Sequence, residues 1–285
     1  MPVTDALGNR MKEYENAYRF CLPRRLPVIL RIDGRAFHTL TRGFVRPFDD
    51  VLHRAMCLTA LTLCKEIGGA KFAYTQSDEI SLLLTNDDRL DTQPWFNNNL
   101  NKLVSLSAAT ATLAFNKAFR KEFDSWGRSQ FDGWDNGGTN NPDANTPEEW
   151  KLQAAYNSAV DKAMFDSRAF ILPPEEVVNY FIWRQQDAVR NSIQMAAQSM
   201  YSHKELQNKN CDQLQEMLFQ RGVNWNNYDT WKKRGTCFSL CEVTELVAHG
   251  AAVKRHKWVM DINTPLFTPN RGYIESTFMP KEESE

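Results

Sequence analysis

The sequence has no C-x-x-C pair, although six cysteines are scattered through its 285 residues. Without paired spacing, a disulfide framework or zinc cluster has no anchor. Cys21, Cys57, Cys64, Cys211, Cys237 and Cys241 therefore read as reduced core residues, with zinc binding the weaker alternative. No apolar run approaches the ~18 residues a membrane-spanning helix needs. The start, Met1-Pro2-Val3-Thr4-Asp5, lacks a basic segment followed by an apolar one, so no secretory signal is visible. The expectation is a cytoplasmic protein with no membrane partner. A Walker-type Gly-Lys-Ser/Thr loop is absent as well, which removes the P-loop enzymes. Net charge is only −1, which argues against coating nucleic acid through bulk positive charge.

Local basic clusters are present nonetheless. Lys232-Lys233-Arg234 follows Trp231, and Lys254-Arg255-His256-Lys257 precedes Trp258, a mixture of cations and aromatics that suits RNA as well as ordinary solvated surface. The apolar fraction of 42% supports a sizeable core, in one large domain or about two ordinary ones.

Arg25 to Asp33 (RLPVILRID) reads as turn chemistry, then a buried strand closing on a carboxylate. Asp49 to Ile67 has helical apolar spacing stopped by Gly68-Gly69. Lys71 to Gln76 and Ile80 to Leu84 read as a hairpin with Ser77-Asp78-Glu79 at its tip. Trp95 to Phe123 is again helix-like. Asp124 to Pro147, rich in Gly, Asn, Asp and Pro, reads as an exposed loop. Phe165 to Leu172 is a further strand, and Pro174 with Glu175 and Glu176 opens a helix running to about Met200. Ser202-x-x-Glu205 and Asn210-x-x-Gln213 are capping boxes, and a late strand is expected around Gly235 to Leu240. Strands interleaved with long helices indicate an α+β or α/β protein. We divide it into residues 1–172, the sheet-bearing part, and 173–285, a mainly helical portion with a late strand, packed on the first.

The acidic residues carry the chemistry. Asp33 closes the first strand and is followed by Gly34, whose missing side chain admits close backbone approach. Asp78 and Glu79 sit at the hairpin. If the hairpin pairs beside the first strand, Asp33 and Asp78 converge, and two converging carboxylates call for a hard cation such as Mg²⁺. The same residues would also serve as ordinary turn formers. Arg35, Ala36, Phe37 and His38 follow the strand where backbone N–H groups can cradle an anion, and Arg46 adds a cation before Pro47. Trp183 and Phe181 read as core residues before base-stacking ones, and Arg184 with Asp187 as an exposed i,i+3 pair.

These segments resemble the tRNA-histidine guanylyltransferase-like family of 3′–5′ RNA polymerases. The resemblance rests on RIDGRAFH (31–38), GFVRPFDD (43–50), TQSDEISLLL (75–84), FDSRAFILP (165–173), YFIWRQQDAVRNSI (180–193), NWNNY and KKRGT (within 224–236). Their order agrees over roughly residues 5 to 240. The resemblance implies a polymerase/cyclase-like palm, an antiparallel sheet flanked by helices. It implies a nucleotidyltransferase that adds GTP or other nucleotides to the 5′ end of tRNA, with GTP and ATP as substrates and a homotetramer as the assembly. In that reading Asp33 and Asp78 hold two Mg²⁺ ions, Gly34 adds its carbonyl, and Glu79 supports the site. Arg35, Ala36, Phe37, His38, Ser77 and Arg46 would meet the triphosphate, and Arg168 and Asn191 the nucleotide or RNA end. Eukaryotic members carry His-Ile-Asn-Asn where this chain has Val189-Arg190-Asn191-Ser192. The match is therefore closer to the bacterial and archaeal branch, associated with repair of 5′-truncated tRNA. A tRNA-binding module without catalysis is the alternative from another class, and a palm-fold nucleotide cyclase a third.

Overall fold

The computed structural model describes residues 5–131, 146–246 and 252–279. Helix α1 (Ala6–Asn16) starts at an Asp5 cap whose carboxylate accepts the Gly8 N–H. It is followed by β1 (Val28–Gly34), the single turn α2 (Phe37–Leu40), α3 (Asp50–Glu66), β2 (Ala70–Gln76) and β3 (Glu79–Leu84). A 3₁₀ turn at Trp95–Asn98 leads into α4 (Leu100–Phe131). Then come α5 (Pro147–Ala159), β4 (Phe165–Ile171), α6 (Pro174–Gln198), α7 (His203–Leu206), α8 (Cys211–Gln220), α9 (Thr230–Arg234), β5 (Thr236–Leu246), β6 (Ala252–Asp261) and α10 (Gly272–Phe278).

The strands form one six-stranded sheet in the order β4-β1-β3-β2-β5-β6, and each neighbouring pair is antiparallel. Central strands β1 and β3 read as nearly continuous apolar runs because both faces are covered. One face, with Leu30, Ile32, Ala73 and Leu82, packs on α3 and α4 through Ala60, Leu63, Phe115 and Phe119. The other, with Ile29, Phe72, Tyr74 and Leu83, packs on Val177, Val178 and Phe181 of α6 and Phe267 beyond β6. A third cluster seats Leu214 and Leu218 of α8 on Ile193, Ala196 and Ala197 of α6.

Two sequence expectations change. Part of the segment 124–147 read as loop is helical. α4 continues to Phe131 because Phe123 and Trp126 pack on Tyr156 of α5, with ring centroids 5.7 and 5.3 Å from the tyrosine. α5 starts at Pro147 under a Thr146–Glu149 capping box, a pattern that was legible in the sequence. The middle of that loop expectation, 132–145, lies outside the described residues. The late strand is also longer than read, Thr236–Leu246 rather than 235–240. It pairs with β6, whose charged Lys254–Lys257 stretch hid its strand character. Residues 173–285 thus contribute helices and two strands of the common sheet.

Candidate active site

The site grows from the polar end of β1. Asp33 stands opposite Glu79 on β3 and Asp166 on β4. The β2–β3 hairpin turns through Ser77 and Asp78, with Ser77 in left-handed backbone at φ 50°. The Gly34 N–H donates to the Asp78 carbonyl at 3.0 Å, which fixes the hairpin turn beside the end of β1. Only glycine fits there, since a Cβ would lie 2.4 Å from the Phe37 ring. That ring cannot yield, being buried against Phe115 and Phe165 at 5.3 and 5.1 Å. The arrangement brings two carboxylates together. Burial first, then the charge of Asp33, push the Asp78 carboxyl up to about 6.

A cleft of about 440 Å³ opens over this pair. One wall is the Gly34–His38 segment, where Ala36 takes left-handed backbone (φ 55°, ψ 35°) and starts α2. The first N–H groups of such a turn have no acceptor within the helix. The opposite wall is the 41–49 loop, held by a single buried carboxylate. Asp49 accepts the N–H groups of Val45 (3.0 Å) and Leu52 (2.8 Å) and the Tyr156 hydroxyl (2.7 Å). Met195 and Gln198 of α6 close the third side. A smaller pocket of about 80 Å³ adjoins it, sharing Asp49, Leu52, Ser77 and Met195. There His53 stacks on Trp231 with centroids 3.8 Å apart. Burial, with Arg54 and Lys232 nearby, lowers the imidazole to about 4, so it is neutral near pH 7.

The structure brings together Asp33, Gly34, Ala36, Phe37, His38, Arg46, Ser77 and Asp78, which all line the cleft. Phe37 does so from a buried ring, with its backbone at the wall. Asn191 lines the adjoining pocket instead. Arg35 lies outside, its N–H already given to the Met164 carbonyl at 2.8 Å. Arg168 is exposed on the edge strand opposite Arg31. Glu79 is not at the hairpin tip. It belongs to β3 and is buried between Arg184 (2.7 and 3.0 Å) and Arg31 (2.8 Å). Arg184, read from spacing as part of an exposed pair, is therefore buried, because its first partner comes from the sheet. The Lys232–Arg234 cluster is likewise mostly committed: Lys232 pairs with Asp229, and buried Lys233 donates to the Asn226 carbonyl. Sequence reasoning missed Asp49 as the organiser of the cleft wall, although an Asp before a helical run is a capping signal.

The donor set fits a hard divalent cation. Among the described residues no three His, Cys, Asp or Glu side chains form a ready-made cage. Magnesium is typically held by one or two carboxylates and completed by water and substrate phosphates. A half-buried acidic pair beside a cleft, with the Asp78 carboxyl raised, is such a half-built site.

Comparison with known proteins decides the family. The sequence profile described as tRNAHis guanylyltransferase matches residues 8–173, more than half of the chain. A bacterial tRNA(His) guanylyltransferase-like protein solved with ATP is 40% identical, with a TM-score of 0.76, covering 96% of this chain and all of that one. This chain belongs to the tRNAHis guanylyltransferase family. It is accordingly a nucleotidyltransferase, built on the palm-type sheet its relatives share. The bacterial protein has also been solved with GTP, again at 40% identity, with a TM-score of 0.71 and coverage of 97% of this chain and all of that one. A probable tRNA(His) guanylyltransferase from Dictyostelium discoideum is 26% identical over 246 residues, covering 81% of this chain and 82% of that protein.

Proposed function

We propose that this chain adds GTP or other nucleoside triphosphates to the 5′ end of tRNA in the 3′–5′ direction, by a two-magnesium mechanism. The observation that carries the reading is the convergence of Asp33 and Asp78 at the mouth of the cleft, locked by the Gly34–Asp78 backbone bond. Asp33 and Asp78 would hold both ions, and the Gly34 carbonyl would add a neutral ligand. When bound, magnesium supplies charge neutralisation for the triphosphate and activation of the attacking hydroxyl. The backbone of Ala36–His38, the Ser77 hydroxyl and the exposed Arg46 orient the phosphates from the cleft walls. The 3′-hydroxyl of the incoming nucleotide would then attack the 5′ α-phosphorus of the RNA, losing its proton as the bond to the leaving group breaks. Pyrophosphate departs from a 5′ triphosphate, or AMP from an ATP-activated end. Glu79 contributes by positioning, through Arg31 and Arg184, rather than as a ligand.

The closer likeness to a bacterial-type protein supports repair of 5′-truncated tRNA beside guanylylation of tRNA-His. A cytoplasmic homotetramer belongs to the same reading. Leu7, Met11 and Tyr14, all exposed along α1, support self-association. The deciding experiment supplies α-labelled GTP and Mg²⁺ with two tRNA-His substrates. One is full length with a 5′ monophosphate; the other lacks its first nucleotide and carries a 5′ triphosphate. Label in the truncated tRNA, lost in Asp78→Ala, establishes 5′-end repair. Label in the full-length tRNA only with ATP establishes guanylylation with prior activation. No label in either refutes both and leaves a binding module.

A further inference from the structure

Trp183 stands out on α6. Its neighbours Phe181 and Arg184 are buried, yet the tryptophan is 47% exposed. The sequence reading placed it in the core, and the structure does not. An indole half in water needs a reason, and its surroundings give one. The Arg184 guanidinium lies 4.3 Å from the ring centroid and that of Arg31 5.7 Å. Both guanidiniums are anchored on Glu79, so the indole rests on a fixed cationic support, and Tyr180 packs edge-on at 5.9 Å. Such an indole is held in place without being covered.

Its position matters more. Arg31 and Asp33 are two residues apart on β1, hence on one face of the sheet and about 7 Å apart along the strand. That face is the α6 face, since Ser81, opposite Arg31, bonds the Tyr180 hydroxyl at 2.7 Å. Trp183 lines neither the cleft nor the adjoining pocket. It therefore lies beside the acidic pair but outside the space that takes a nucleoside triphosphate. Of the charged groups, Arg31 and Arg184 lie against its ring and are held by Glu79 and Asp187; Arg190 shares Asp187, and Arg168 faces Asp166 on the neighbouring edge strand. Glu79 is saturated by two arginines, while Arg168 is 57% exposed, 3.9 Å from Asp166, and opposite Arg31 in register.

We infer that Trp183 is the stacking platform for the 5′-terminal base of the RNA substrate, with Arg168 beside it for the backbone phosphates. The inference rests on the proposed function and names where its second substrate docks. A reaction joining two nucleotide-bearing substrates at one acidic pair needs a second approach, and Trp183 exposes an aromatic face on the sheet side of that pair, outside the cleft. Unpaired RNA ends are gripped in this way, by stacking on aromatic side chains with arginines on the phosphates.

The test is a double-mutant cycle on tRNA affinity, using full-length protein and two 3′-labelled truncated tRNAs, one with an abasic 5′-terminal position. Trp183→Ala is expected to weaken binding of the intact tRNA about 5- to 150-fold. Trp183→Phe should restore most of it, and Trp183→Ala should bind the abasic tRNA as the unmutated protein does. GTP affinity, measured separately, stays unchanged and reports that the fold is intact. Equal losses on intact and abasic tRNA, or no loss on either, overturn the platform. If Trp183→Ala loses GTP affinity too, Trp183→Phe alone decides: it must bind GTP normally and still discriminate the abasic end, or the inference fails. Failure of the unmutated protein to bind any tRNA while still binding GTP would instead remove the function on which the inference rests.

Discussion

Arg184 grips both oxygens of Glu79, with Nε 2.7 Å from Oε1 and Nη2 3.0 Å from Oε2, in the buried layer between α6 and the sheet. Removing Arg184 leaves the buried Glu79 carboxylate to Arg31 alone. Breaking a buried pair costs roughly 3–5 kcal/mol when nothing else compensates the remaining charge, and Arg31 keeps the loss toward the lower end. Arg184→Ala should lower the melting temperature steeply. Arg168→Ala, on the exposed edge strand, should leave it nearly unchanged; equal melting temperatures for the two would contradict the geometry.

Asp78 gives a signed pH dependence. Folded, its carboxyl holds a proton up to about 6, whereas its ordinary value is 3.8. Between those values the unfolded chain binds fewer protons, so stability falls as pH rises and the loss is complete above about 6. Asp78→Asn removes this term. In EDTA at pH 7 the variant should be more stable than the unmutated protein by about 1–3 kcal/mol, the gap closing near pH 4. Activity should fall ~10³-fold or more, because metal-based charge stabilisation is worth several kcal/mol. Adding Mg²⁺ should raise the melting temperature of the unmutated protein and not of the variant.

His53 carries the opposite slope. With its imidazole lowered to about 4 from 6.5, it contributes stability that is complete above pH 6.5 and lost as pH falls toward 4. His53→Phe keeps a ring on Trp231 and should flatten the acid limb of the stability profile by about 1–3 kcal/mol. An unchanged limb in urea titrations across that range would show that the imidazole titrates freely.

The cleft wall hangs on Asp49. Tyr156→Phe removes one of its three donors, a hydrogen bond to a charged group worth about 1.5–3 kcal/mol, and leaves the two backbone N–H groups in place. The expected result is a modest loss of stability with a raised KM for GTP. Asp49→Ala, which also uncaps α3, should be worse on both counts.

Gly34→Ala forces a Cβ to within 2.4 Å of the Phe37 ring, and overpacking of this kind costs about 1–3 kcal/mol. Gly68→Ala is the control, since its nearest neighbour would be Trp95 at 3.6 Å, an ordinary contact. Only the first should depress both stability and turnover.

Much of the sheet was legible because local rules and tertiary demands coincide there. RLPVILRID and the two halves of the hairpin are short, apolar and bounded by turn residues, and they became β1, β2 and β3. β6 was not legible. Its Lys-Arg-His-Lys run follows no apolar alternation, and pairing with β5 supplied the order that propensity did not. Trp183 and Arg184 were misread for a related reason. Helical spacing tells which residues share a stripe, but not whether the sheet below offers a hydrophobic surface or a carboxylate.

The sequence by itself determined the chemistry available: an Asp-Gly at a strand end and a Ser-Asp-Glu at a hairpin. These are local properties, set by backbone conformation and residue type. Only the tertiary structure decided which acids serve the site. Asp33 and Asp78 were left facing a cleft, while Glu79, one residue from Asp78, was turned into the α6 layer and neutralised by Arg31 and Arg184. The reason is where each acid stands. Asp78 lies in the hairpin turn and Asp33 at the polar end of β1, whereas Glu79 is the first residue of β3, and the arginines that meet it stand about 50 and 100 positions away along the chain.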